Sequence, residues 1–215
     1  MLGLIQPDVA LTDFFLALGT LVLGLIILNI KVKSKIKFTI FLFYISLALS
    51  SLIGGIVHGF FPYSGLLVNL ILWKATMICL GLVSLFSWLI AGNIILPKYK
   101  KLILYLASFE FLLYSVYIIF VNSQFKIAIY NYVPATIFLL VSLGILYFRK
   151  KDNPILLGII GIILTFIAAW IQQAQISLHP IYFNHNALYH FVQAIALLLI
   201  FFALRKVTLK GEIKK

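Results

Sequence analysis

The stretch LTDFFLALGTLVLGLIILNIKVKSKIK, residues 11–37, decides the class of this protein. A single acid, Asp13, opens a run that stays mostly apolar to Ile30, and Lys31, Lys33, Lys35 and Lys37 then close it. About 20 apolar residues in a helix cross the hydrocarbon core of a bilayer. Lysines gathered just past such a run mark its cytoplasmic flank.

The same pattern recurs along the chain. It predicts spans at roughly 9–30, 38–61, 66–95, 102–121, 127–148, 154–178 and 184–205. Further basic clusters follow span three (Lys98, Lys100, Lys101), span five (Arg149, Lys150, Lys151) and span seven (Arg205, Lys206, Lys210, Lys214, Lys215). Together the clusters hold all the basic residues except Lys74 and Lys126, and seven spans put every cluster on one side. An even number would scatter them. The expectation is therefore an all-α, seven-transmembrane bundle forming one domain over 1–215, with the N-terminus outside and the C-terminus in the cytoplasm. Pro97, Pro154 and Pro180 fall at span ends, where a missing N–H costs least, and Pro134 inside span five predicts a kink.

Composition agrees. Of 215 residues, 64% are hydrophobic and 10% charged, and mean hydropathy is +1.15. A soluble domain of this length cannot hide that much apolar surface. The net charge of +12 would suggest nucleic acid if it lay in one patch. It lies between spans, so membrane lipids are the expected partners and nucleic acid is not. The lone Cys79 forms no internal disulfide. No cleavable signal peptide is expected, because the first residues lack a basic region and carry Asp8 and Asp13.

All four histidines fall near ends of spans that face the outer side. His58 closes span two in GGIVHGFF, His179 follows span six in WIQQAQISLHP, and His185 and His190 open span seven in FNHNALYHF. Ionisable groups at membrane depth are costly, and imidazole is the commonest protein ligand for transition metals. A zinc site of catalytic type takes three protein ligands and leaves one position open. His58, His185 and His190 are the expected ligands, with His179 in reserve. His185 and His190 are five apart, about 140° around an ideal helix, so both can bind one ion only if the first turn of span seven is irregular or a π-bulge intervenes. Asn184 as N-cap would allow the former.

Other polar groups fall at similar depth. Asp13 and His179 are the expected catalytic groups, Asp13 handling protons beside a metal-bound water. Gln172, Gln175 and His179 share one helix face by spacing, as do Asn186, His190 and Gln193. Gln172, Gln175, Asn186, Tyr189 and Gln193 are the expected substrate-binding residues. Gly55 and Gly59 bracket His58 and suggest close approach of another helix. Lys74 and Glu110, in spans three and four, are expected to form a structural ion pair.

These features resemble the CREST superfamily, which includes alkaline ceramidases and the progestin and adiponectin receptors. The resemblance rests on seven spans, a histidine late in span two and LYH, ending at His190, in span seven. PDVALTDF and FNHNALYHF look like a prokaryotic branch of that group. The resemblance implies zinc held by one histidine of span two and two of span seven, and hydrolysis of an amide (or ester) bond in a lipid substrate. It also implies a multi-pass protein of a bacterial inner membrane, its site near the extracytoplasmic face. The family's first span-seven histidine falls at Asn186 here, its span-two serine at Gly54, and its span-three aspartate has no counterpart. Two rival readings remain open: a receptor or transporter with a structural metal, and a b-type haem protein with axial histidines. Substrate identity and oligomeric state are not legible.

Overall fold

The computed structural model describes residues 3–63 and 65–210. Lys214 and Lys215, counted in the last basic cluster, lie outside them. Among the described residues there are seven long helices: α1 (Pro7–Leu28), α2 (Lys35–Phe60), α3 (Leu67–Ile95), α4 (Lys100–Phe120), α5 (Phe125–Lys150), α6 (Asn153–Gln173) and α7 (His185–Lys210). All seven are long and apolar enough to span a membrane.

Local chemistry sets their ends. Pro7 opens α1 and Pro154 lies in the first turn of α6, where a proline has no intrahelical N–H to lose. Asp8 adds a carboxylate to the first turn of α1, which the helix dipole favours. Asn184 caps α7 as anticipated, its Oδ1 accepting from the N–H groups of Asn186 (2.9 Å) and Ala187 (3.1 Å). Span six is shorter than expected. It stops at Gln173, and Gln175 takes a left-handed φ of 56°. The chain then folds back on itself, with His179 and Phe183 exchanging both backbone hydrogen bonds at 3.1 Å.

The packing order differs from the chain order. α1 packs on α2, α2 on α3, α3 on α5, α5 on α6, α6 on α7, and α7 returns to α1. Six helices thus close a ring, and α4 lies outside it against α3. The glycines flanking His58 serve the α1–α2 seam. A Cβ on Gly55 would stand 2.7 Å from the Phe14 ring, and one on Gly59 would stand 2.9 Å from Leu4. Only hydrogen at these positions allows the helices to sit so close. Toward the carboxyl end of α7 the ring is filled by Ile27, Ile40, Tyr44, Leu143, Ile155 and Leu204. Tyr44 Oη donates to the carbonyl of Leu197 at 3.1 Å. Toward the amino end of α7 the ring opens into a cavity.

Candidate functional site

The cavity has a volume of about 330 Å³ and takes lining residues from all six ring helices and none from α4. Its two halves differ in chemistry. Near the amino ends of α1 and α7 stand Asp13, His58, Gln172, Asn186, His190 and Gln193; deeper are Phe43, Leu47, Leu139, Ile162, Leu197 and Ile200. A polar mouth over an apolar floor fits an amphiphile.

Asp13 and His190 meet in the wall. His190 Nε2 lies 3.3 Å from Asp13 Oδ1, and Asp13 is 4% exposed. Gly54 makes room for this carboxylate, since a Cβ there would stand 3.2 Å from Oδ2. The other ring nitrogen, Nδ1, lies 3.2 Å from Thr12 Oγ1. The Thr12 hydroxyl donates to the carbonyls of Asp8 and Val9, both at 2.9 Å. Where that hydrogen serves the carbonyls, Oγ1 accepts from Nδ1–H, and the Nε2 lone pair meets Asp13 Oδ1 across one proton.

His58 takes the same Nδ1–H tautomer through a different partner. Its Nδ1 donates to Gln6 Oε1 at 2.7 Å, which leaves Nε2 as an acceptor in the neutral ring. The Trp73 ring stands edge-on to the imidazole, with centroids 6.2 Å apart. The segment before α1 is pinned to the end of α2, Ile5 N–H donating to Gly59 (2.9 Å) and Gln6 N–H to His58 (3.3 Å). Gln6 is thus held where it can orient the ring. Asp8 ties α1 to α7 by accepting from the Asn184 N–H at 3.2 Å.

Amides complete the mouth. Gln172 Nε2 donates to Asn186 Oδ1 at 3.4 Å, leaving the Asn186 Nδ2 donors available, and Gln173 donates to Gln172. Gln193 Nε2 donates to Thr165 Oγ1 at 3.3 Å. Tyr189 also lines the cavity, its ring 6.0 Å from that of Phe125.

Several expected residues stand elsewhere. His185 is the first residue of a regularly capped α7, so it points about 140° away from His190 and does not line the cavity. The trio His58, His185 and His190 is not assembled. Among the described residues no three His, Cys, Asp or Glu side chains are grouped to hold a metal ion. The zinc set expected from sequence does not fit this arrangement. His179 and Gln175 are exposed on the α6–α7 connection, because α6 ends before reaching them. The His179 Nδ1 accepts from the N–H groups of Ile181 (3.2 Å) and Tyr182 (3.1 Å), holding the turn rather than a substrate. Trp170 is 63% exposed, whereas Trp73 lines the cavity.

The ion pair between Lys74 and Glu110 is not formed. Lys74 Nζ donates to the carbonyl of Ile119 at 2.7 Å, and Tyr114 Oη donates to that of Met77 at 3.0 Å. α3 and α4 are antiparallel, so these contacts fix their register. Glu110 then lies nine residues, about 13 Å, along α4 from the level of Lys74.

Four contributors were not foreseen. Thr12 and Gln6 orient the two imidazoles, and Tyr132 and Thr165 line the cavity. Thr12 carried a weak signal, being next to Asp13 at a helix start. Nothing in the apolar run of α5 singled out Tyr132.

The family of unknown function DUF6962 matches residues 9–209, almost the whole bundle. No curated protein and no solved structure matches the chain.

Proposed function

The chain belongs to the DUF6962 family, and we propose that it is a membrane-embedded hydrolase cleaving an amide or ester bond in an amphiphilic lipid. One observation carries this reading: a proton-bearing Asp13–His190 pair and an acceptor imidazole, His58, line one cavity whose inner end is apolar. Two titratable groups prepared in opposite protonation states are what acid–base catalysis needs.

In this reading the acyl chain lies inward and the scissile carbonyl sits beside His190. His58 Nε2 takes a proton from water as its oxygen bonds to the carbonyl carbon. The Nδ2 group of Asn186 donates to the developing oxyanion. The Asp13–His190 pair protonates the leaving nitrogen or oxygen as the C–N or C–O bond breaks. The proton on His58 then restores the pair through water, so the cycle closes. The basic clusters support a site toward the extracytoplasmic face, with the N-terminus outside.

Purified protein in vesicles should release free fatty acid from N-acyl amides or acyl esters. Absence of turnover across both bond types would end the reading.

A further inference from the structure

Two buried polar atoms in the cavity wall have no partner among the described residues: Tyr132 Oη and Gln193 Oε1. Tyr132 is 9% exposed and Gln193 5%. Leaving such groups unpaired away from water is costly. The orientation of the Gln193 amide is fixed by a relay. The Thr165 hydroxyl donates to the carbonyl of Gly161 at 3.2 Å, so its oxygen accepts from Gln193 Nε2 at 3.3 Å. Oε1 is the atom left over, and it can only accept. A ligand group that satisfies it must be a donor.

The depth of these atoms specifies where that donor lies. Gln193 is one turn inward of His190, about 4.5 Å along α7. Phe125 faces Tyr189, and Tyr132 lies two turns inward of Phe125, about 10 Å along α5. Both atoms therefore stand between the Asp13–His190 pair and the apolar floor. A chain running from the scissile carbonyl toward that floor passes them within its first few carbons.

We infer that Tyr132 and Gln193 form a second polar subsite that hydrogen-bonds a hydroxyl on the acyl chain close to the carbonyl. The preferred substrate class is then a hydroxyacyl amphiphile rather than a plain acyl one. The hydroxyl donates to Gln193 Oε1 and accepts from Tyr132 Oη–H. This inference rests on the hydrolase reading for the orientation of the chain.

The test uses two probes that differ by one hydroxyl, the N-butyl amides of 3-hydroxydodecanoic and dodecanoic acid. Binding to the His190→Ala protein in nanodiscs is followed by tryptophan fluorescence, since Trp73 lines the cavity. The hydroxylated amide should bind about tenfold more tightly, the factor expected for hydrogen bonding two otherwise unpaired buried groups. Adding Tyr132→Phe or Gln193→Met should shrink that preference to about threefold or less, on the same grounds. Tyr132→Phe should also melt no lower than its parent without probe, because it deletes an unpaired hydroxyl and no contact. Equal affinities in the parent, a preference that survives both variants, or failure of the hydroxylated amide to bind would each overturn the subsite. A preference found in protein that turns over neither amides nor esters would keep the subsite and remove the hydrolase.

Discussion

α2 and α4 are near twins in composition and opposites in use. Their most apolar windows have mean hydropathies of 2.2 and 2.0, yet 61% of the α2 window is buried and only 17% of the α4 window. α2 contributes six residues to the cavity, from Phe43 to His58, and α4 contributes none. The difference lies in what each helix lets its neighbours do. Gly54 and Gly55 bring α1 against α2 and seat the Asp13 carboxylate, whereas α4 turns Tyr105, Phe109, Leu112 and Leu113 outward. Apolarity carries a helix into the bilayer. Small residues and partnered polar groups bring it into the ring.

The sharpest way to break this contrast is to remove chemistry from the ring. His190→Ala should lower turnover about 10²–10⁴-fold, the usual scale for an acid–base group, while the melting transition stays cooperative. Retained turnover would remove His190 from the mechanism. Next in size is the seam. Gly55→Leu should destabilise the protein by about 1–3 kcal/mol, because the added side chain meets the Phe14 ring. Denaturant titration in micelles checks this, and an unchanged midpoint would show the seam to be looser than described.

Gly54→Ala is subtler. Its Cβ would stand 3.2 Å from Asp13 Oδ2, so the carboxylate must give way. A loss of turnover of roughly tenfold is expected from so small a displacement of a catalytic group, with little loss of stability. Unchanged turnover would show that the carboxylate has room to spare. Smallest of all are changes on α4. Phe109→Ala should shift stability by no more than about 0.5 kcal/mol and leave turnover intact, since Phe109 faces outward. A large effect would mean that α4 has a partner in the membrane.

Much of the site was legible because cost at membrane depth is a sequence property. Asp13, His58, His190, Gln172, Asn186, Tyr189 and Gln193 all line one cavity, as their shared depth suggested. The failures share a cause. His179 and Gln175 were assigned to a helix face, but the helix stops at Gln173 and its face goes no further. Lys74 and Glu110 were matched by depth counted from assumed span ends, and the register set by Tyr114 and Met77 moved them apart. His185 shares a helix with His190 but not a direction.

From the sequence alone follow the seven apolar helices, their approximate limits and the side on which the positive charge gathers, because each depends on residues adjacent in the chain. Tertiary structure alone decided that α4 stands outside a six-helix ring, that a threonine and a glutamine orient the two imidazoles, and that Tyr132 faces the cavity. Those outcomes depend on how far backbones can approach and on which side of a helix a group emerges. Hydropathy along a chain contains neither quantity.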